Sequence, residues 1–445
     1  MSSGEAESPR SGVQPRPQPV FPGLHGRRRR EPHEVASHQR GRLIGATLEA
    51  CARHGWATTT VEELVALAGV SKTSFYEHFA NKDECFLASF EAVVEAASAQ
   101  IGEAYRGRRG LRGRLSAGME SFAEIVAERP GAAQLVVIES LGLGAAAVPQ
   151  RDAAAELFET MFRQSFEEAH GPGAVDELTV RALVGGVRRV VYRELRAGRP
   201  EGLRRHADAL AEWAMGYAEA AGEAPIRRPA PPRPVSEVEQ TLPWAEPPSS
   251  DAARAVLTQR ERLVRATAIA VTERGYGAAS IATISTIAGV SKETFYQHFE
   301  GKEAAFLAAY DAIAERALGV TAAAFSMQPH WAEGVEAGLT ALLEHIAGNR
   351  IYARLAFFEL PAAGPAALDR ADASLEAFGA FLDPTAVGAK SPRRPPAVVI
   401  EAISGGAWAV IQHEIAAGRA STLPALGPRI ARLVLVPFGC ARGDA

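Results

Sequence analysis

Ala68-Gly69-Val70-Ser71-Lys72-Thr73-Ser74-Phe75-Tyr76-Glu77-His78-Phe79 occurs a second time as Ala288-Gly289-Val290-Ser291-Lys292-Glu293-Thr294-Phe295-Tyr296-Gln297-His298-Phe299. The two segments are offset by 220 residues, and the same offset recurs far outside them. Gly55 matches Gly275, Lys82 matches Lys302 and Glu139 matches Glu359; Gly185-Gly186 matches Gly405-Gly406, Glu194 matches Glu414 and Gly198 matches Gly418. From Gln39 to Glu91, roughly 20 of about 54 positions are identical in the second copy. The period is too long for a solenoid, whose repeats run about 20–50 residues. One domain plan is written twice.

The repeated stretch reads as a sequence of short helices. From about Gln39 to His54, the apolar positions Leu43, Ala46/Thr47 and Ala50/Cys51 fall at helical spacing and end at Gly55. A second helix opens on Thr60, with Glu63 three residues later to complete a capping box, and Val61, Leu64, Val65 and Ala68 give it one apolar face. Gly69 permits a left-handed turn, Val70 plugs the corner, and Ser71 caps a third helix that ends near Phe79. Phe75 and Phe79 lie four apart and turn inward with Val70, which leaves Lys72, Thr73, Ser74, Tyr76 and His78 outward. A long fourth helix starts at Asn81 or Lys82. The second copy repeats the plan from Gln259, with Ser280 as cap and Ile281, Ile284 and Ile287 as the apolar face.

An A-G-V-S-K-x-[ST]-F-Y-x-H-F segment about 25 residues into such a helix pattern resembles the TetR family of bacterial transcriptional repressors. In that family the segment is the turn and recognition helix of a helix-turn-helix. The resemblance implies an all-α fold of two TetR-like units, each an N-terminal three-helix DNA-binding domain followed by a helical-bundle ligand and dimerisation domain. Two units in one chain depart from the family's usual single-unit homodimer. By the same resemblance, Lys72, Thr73 and Ser74 approach base edges in the major groove, while Tyr76, His78, Lys82, Thr59 and Thr60 hold phosphates and Ser71 caps the recognition helix. The second-copy counterparts are Ser280, Ser291, Lys292, Glu293, Thr294, Tyr296, His298 and Lys302. Glu293 in place of Thr73 puts a carboxylate where cytosine N4 could be read, so unequal half-sites are expected.

The family's pairing helices fall at about Val175–Arg196 and Leu203–Ala220, matched by Val398–Ala417 and Leu423–Val436. The expectation is a covalent pseudo-dimer, with a dimer of tandem chains as the alternative. Candidate walls of an inducer pocket are Phe122, Phe158, Phe162, Tyr192, Trp213, Phe357, Phe358 and Trp408. With no cluster of charges or metal-spaced His among these, the expected inducer is small and apolar or aromatic, with no cofactor and no metal. Repression follows the family's habit.

Composition frames this reading. The expected segments are a disordered Arg/Pro-rich tail (1–37), a first helix-turn-helix domain (38–91), a first ligand/dimerisation domain (92–222) and a Pro-rich linker (223–256). A second helix-turn-helix domain (257–311), a second ligand/dimerisation domain (312–436) and a tail (437–445) complete the chain. Arg27–Arg30 form a basic run ahead of the first helix, either a solubilising tail or an arm for phosphates or a minor groove. With 48 Lys and Arg against 52 Asp and Glu the net charge is −4, so DNA binding must rest on locally placed cations. Three scattered cysteines carry no metal or disulfide spacing and fit a reducing cytoplasm. No apolar run reaches the ~18 residues that would cross a bilayer. G-x-S-x-G, H-E-x-x-H and Walker motifs are absent from the sequence, which speaks against an enzyme. The rival reading is a helical ligand- or partner-binding scaffold with one vestigial helix-turn-helix.

Overall fold

The repeat carries its secondary structure with it. The computed structural model describes residues 32–221, 258–387 and 393–440, and every element among them is helical. The first unit comprises α1 (Pro32–His54), α2 (Val61–Ala68), α3 (Lys72–His78), α4 (Lys82–Arg106), α5 (Gly110–Glu128), α6 (Pro130–Gln134), α7 (Val148–His170), α8 (Glu177–Arg196) and α9 (Gly202–Ala221). The second comprises α10 (Gln259–Arg274), α11 (Ile281–Ala288), α12 (Lys292–His298), α13 (Lys302–Ser326), α14 (Trp331–Gly348), α15 (Arg350–Arg354), α16 (Pro365–Ala380), α17 (Ala397–Ala416) and α18 (Leu423–Leu435). Several helices restart at the 220-residue offset: α2 and α11, α3 and α12, α4 and α13, α6 and α15, α8 and α17. Even the π-turn after α6, Leu135–Glu139, has its counterpart at Leu355–Glu359.

Helix α1 starts at Pro32, ahead of the expected Gln39, because proline's fixed φ suits the first turn of a helix. The basic run Arg27–Arg30 and the linker 223–256 lie outside the described residues. Residues 437–440, expected as part of a tail, are packed: the Phe438 ring is fully buried, 4.9 Å from that of Trp331. None of the three cysteines forms a disulfide among the described residues, and burial pushes the Cys51 thiol up to about 12. No helix among the described residues is long and apolar enough to cross a membrane.

The two units meet where α8 crosses α17. A Cβ on Gly185 would lie 2.2 Å from Ala409 Cβ, and one on Gly186 would lie 2.4 Å from the Ala402 carbonyl oxygen. Across the pseudo-twofold, a Cβ on Gly406 would lie 2.5 Å from the Ala182 carbonyl oxygen, and one on Gly405 2.3 Å from Arg189 Cβ. Glycine is poor in a helix interior, by about 1 kcal/mol against alanine. Here it lets the two backbones touch. Helix α9 adds the Tyr217 hydroxyl, which donates to Leu433 O at 2.7 Å and accepts from Trp213 Nε1. In each unit a Glu–Arg pair staples the turn after the crossing helix, Glu194 with Arg199 and Glu414 with Arg419.

The cores are not equivalent. The first head closes around Leu43, Leu64, Phe75, Phe79, Phe86 and Phe90; Leu135 and Ala154 of the bundle join that cluster, and Val136 and Leu143 pack against it. The second head's Phe295, Phe299 and Phe306 belong to one continuous core that runs through both bundles.

Two expectations follow. Gly186→Ala should lower the free energy of unfolding by about 1–3 kcal/mol in urea titrations, since its Cβ meets backbone. Gly216→Ala, in α9 with nothing within 4 Å of its Cβ, should raise it by up to ~1 kcal/mol. Separately, burial against Tyr352 holds the His345 imidazole down at about 4, from an ordinary 6.5. The unfolded chain then binds a proton that the folded chain does not, so stability should fall as pH drops from about 6.5 to about 4. His345→Gln should flatten that part of the stability–pH curve.

Candidate nucleic-acid interface and effector cavity

Each head presents its third helix the same way. In α3, Ser71 caps the helix through its side-chain oxygen, which accepts from Ser74 N at 3.0 Å; in α12, Ser291 accepts from Thr294 N at 3.0 Å. Gly69 and Gly289 occupy the left-handed region (φ 59° and 65°) that the turn between helices two and three requires. Phe75, Phe79, Phe295 and Phe299 are buried. Lys72, Thr73, Lys292 and Glu293 are exposed, Ser74 and Thr294 half-buried. Tyr76 and Tyr296 stand out at 52% and 58% exposure, among the few large apolar-bodied side chains exposed among the described residues. Each ring meets the neighbouring Phe edge-on, Tyr76 with Phe75 at 5.3 Å and Tyr296 with Phe295 at 5.6 Å, and holds a hydroxyl at its tip.

Several predicted site residues are fixed by other parts of the head. His78 Nε2 lies 3.4 Å from Gln39 Oε1, and His298 Nε2 lies 3.4 Å from Gln259 Oε1, which anchors each recognition helix to the first helix of its head. Arg40 and Arg260 lie over the Phe79 and Phe299 rings, each at 5.3 Å. Lys82 and Lys302 point back at the loop after the first helix. Lys82 Nζ donates to Thr59 O at 2.9 Å and lies over the Trp56 ring; Lys302 Nζ donates to Tyr276 O at 2.7 Å and lies over the Tyr276 ring. Burial draws the Lys302 ammonium below its ordinary value. Both lysines therefore clamp that loop.

Thr59 needs correcting. Its side chain is buried, and its hydroxyl donates to Gly55 O at 2.9 Å, so it is closed to a phosphate. The matching position holds buried Ala279, which has no hydroxyl at all. Thr60 and Ser280 are exposed caps that accept from Glu63 N at 3.2 Å and Thr283 N at 3.1 Å. The expected capping box is half formed, because Glu63 Oε1 is held by His54 Nε2 at 2.6 Å. A complete box appears instead at Thr258 and Glu261, where α10 begins.

The heads differ electrostatically. Lys72 pairs with Glu62 of α2, which raises the lysine and lowers the carboxyl from their ordinary values. The counterpart of Glu62 is Ala282, and the acid of the second head sits instead at Glu293, within the first turn of α12. A carboxylate there favours the helix dipole.

Behind each head lies a contact that sequence reasoning registered only as a repeat. On the π-turn after α6, Glu139 Oε2 accepts from Trp56 N at 2.9 Å, and its other oxygen accepts from Gln134 Nε2 at 3.1 Å. In the second unit Glu359 Oε2 accepts from Tyr276 N at 2.8 Å and Oε1 from Arg354 Nε at 2.8 Å. The carboxylate thus ties the bundle to the loop after the first helix of each head. Gln39 and Arg40 were likewise missed; their recurrence as Gln259 and Arg260 was the available signal.

A cavity of about 90 Å³ opens inside the second bundle, lined chiefly by apolar side chains that include Phe325, Leu342, Phe357, Phe378 and Trp408. The Phe357 and Trp408 rings stack at 3.9 Å. The other predicted walls lie elsewhere. Phe122 and Phe158 pack on each other at 6.4 Å in the first bundle, Phe162 is in the core, and Phe358 lies against the core. Tyr192 and Trp213 stand at the junction of the units, Tyr192 between Arg189 and Arg196. In the first unit the counterparts of Phe357 and Trp408 are Val137 and Arg188. No group of His, Cys, Asp and Glu able to hold a metal occurs among the described residues.

The profile described as "Bacterial regulatory proteins, tetR family" matches residues 43–89 and again residues 263–309, the two heads just described. Each of the two heads carries the DNA-binding signature of the TetR family. The chain is 32% identical over 88 residues to the HTH-type transcriptional activator FasR of Mycolicibacterium smegmatis, covering 20% of this chain and 40% of that protein. It is 33% identical over 96 residues to the HTH-type transcriptional regulator TcmR of Streptomyces glaucescens, covering 22% of this chain and 38% of that one. The chain therefore spans about two fifths of the length of these relatives. Among solved structures, a TetR family transcription regulator from Marinobacter aquaeolei aligns over 42% of this chain and 97% of its own, at 21% identity and a TM-score of 0.35.

Removing the carboxylate of the second latch should be costly and local. Glu359→Ala is expected to destabilise by about 1–3 kcal/mol, because Tyr276 N and Arg354 lose a charged partner. Hydrogen exchange at the Tyr276 amide should accelerate while amides of the α8–α17 crossing keep their rates.

Proposed function

We propose that the chain is a sequence-specific DNA-binding transcriptional regulator working as a single-chain pseudo-dimer on an asymmetric operator, a repressor relieved by a small apolar ligand. The observation that carries this reading is the pair of outward polar faces on α3 and α12, built alike in two heads whose bundles join across a pseudo-twofold. In this reading Lys72, Thr73 and Ser74 meet base edges in one half-site, and Lys292, Glu293 and Thr294 in the other. Tyr76, Tyr296, Thr60 and Ser280 donate hydroxyls to phosphates, with His78 and His298 at the same border. Lys82 and Lys302 set the loop that carries Thr60 and Ser280. Because the heads share one chain, binding does not depend on a dimerisation equilibrium.

The second-unit cavity supplies the effector site. Its lining favours an uncharged apolar or aromatic molecule, taken up between Phe357, Phe378 and Trp408. Phe357 lies on the π-turn two residues before Glu359, so a ligand that displaces the ring also moves the carboxylate holding Tyr276 N. The ligand then favours the state in which the two recognition helices are misplaced for DNA.

The test is selection of random DNA fragments by the full chain, followed by a footprint of the winning sequence. Two unequal protected half-sites about one helical turn (~34 Å) apart are expected, and Glu293→Thr should alter base preference in one of them only. Protection of a single half-site would favour the second reading, a scaffold with a vestigial second head. That reading draws on Glu293, a carboxylate on the face that would meet phosphates. Failure to enrich any sequence across a range of salt would overturn DNA recognition.

A further inference from the structure

The pseudo-twofold that relates the units exchanges residue n with residue n + 220. At the glycine crossing the exchange is nearly perfect: Gly186 meets Ala402 as Gly406 meets Ala182. At the rim of the same interface it fails. On one side, Arg189, Arg193 and Arg196 of α8 face three acids of the second unit. Arg189 pairs with Asp372 and, at 3.3 Å, with Glu401; Arg193 pairs with Glu401; Arg196 pairs with Asp369 and, at 3.6 Å, with Asp372. Arg189 and Glu401 are each only 13% exposed, so solvent screens them weakly. The symmetry-related side holds Ala409, His413 and Ala416 where the arginines would be, and Arg181 where Glu401 would be. There Arg181 pairs within its own unit, with Glu159 at 3.1 Å. A further cross-unit ion pair, Arg429 with Asp176 at 3.2 Å, has Ala209 and Pro396 as its counterparts.

We infer that this interface is a one-way recognition surface, in which a first unit accepts only a second unit as its partner and rejects another first unit. The geometry dictates what each like-with-like pairing would contain. Two first units crossing in this way would set Arg189 and Arg193 of each against Arg181 of the other; Asp152 would stand in for Asp372, but Glu401 and Asp369 would be lost to Arg181 and Pro149. Two second units would leave Glu401, Asp369 and Asp372 of each facing alanines and a histidine. The glycine crossing supplies close approach to any of the three pairings; the rim admits one. Like charges juxtaposed in a partly buried interface disfavour the wrong partner far more than an exposed pair favours the right one. The partner is thus another part of the same chain, or the same part of an exchanged second copy. The inference rests on the pseudo-dimer reading above and is independent of what the heads bind.

The experiment uses the full chain with a protease site placed in the segment 223–256. After cleavage under native conditions the fragments are diluted, reconcentrated and weighed by native mass spectrometry. Only mixed 1:1 complexes of first and second unit are expected. Glu401→Arg should weaken the mixed complex at least tenfold, and adding Arg193→Glu, whose cross-unit partner is Glu401 while Arg189 keeps Asp372, should recover at least threefold of that loss. Like-with-like complexes at yields comparable to the mixed one would overturn the inference, as would a Glu401→Arg chain that pairs normally. If Glu401→Arg does not fold, the double variant with Arg193→Glu decides alone: formation of the mixed complex supports the inference, and its absence overturns it. Fragments that never associate would remove the pseudo-dimer itself, whereas fragments that scramble while the uncut chain still footprints two half-sites would remove only the pairing rule.

Discussion

Two helices can approach to backbone contact only where side chains are missing, and the crossing of α8 on α17 is such a place. Gly185, Gly186, Gly405 and Gly406 each stand where a Cβ would fall within 2.6 Å of the opposite helix. Four glycines inside helices carry a conformational cost of roughly 1 kcal/mol each, and what offsets it is the dispersion and apolar burial gained when the helices close fully. The distance between the two heads follows from this one contact. Helices α9 and α18 dock on the crossing pair, α5 and α14 dock on them, and α4 and α13 carry the arrangement out to the heads.

The heads were legible because their information is local. A cap, a turn glycine and aromatic residues four apart all lie within twelve residues, and the second copy repeated them. Local reading also has a limit inside such a stretch. Thr58-Thr59-Thr60 offers three hydroxyls, and only the fold decides that Thr60 caps while Thr59 turns into the core. The aromatic residues of the bundles pose the same problem on a larger scale. Phe162 and Phe357 are equally buried types in sequence, yet one fills a core and the other lines a space. The ion pairs at the rim were beyond sequence reading, because Arg189 and Asp372 are 183 residues apart and no periodicity connects them. Glu139 and Glu359 fell between these cases. Their recurrence was visible, but their partner is a backbone N–H 83 residues away, which has no residue type to betray it.

The repeated residues outside the motif now divide by task. The glycine pairs bring units together, the Glu–Arg staples close the turn between the crossing helix and its neighbour, and the two π-turn glutamates hold the heads. What did not need to be held in common has diverged. The cavity aromatics Phe357 and Trp408 face a valine and an arginine at the same places in the other unit. Likewise, the second head is packed into the continuous core while the first closes on itself. Phe357 and the aromatic residues of the second head thus share one core, from which the core of the first head is separate.

In a symmetric dimer every substitution at the interface is made twice, once on each side of the axis, and a charge placed near the axis confronts its own copy. A duplicated chain escapes that rule. Each face of the α8–α17 junction can change alone, so the interface can acquire polarity, with arginines on one face and acids on the other. The glycines are the part of the junction that could not use this freedom, since a backbone-to-backbone contact has only one residue that satisfies it from either side.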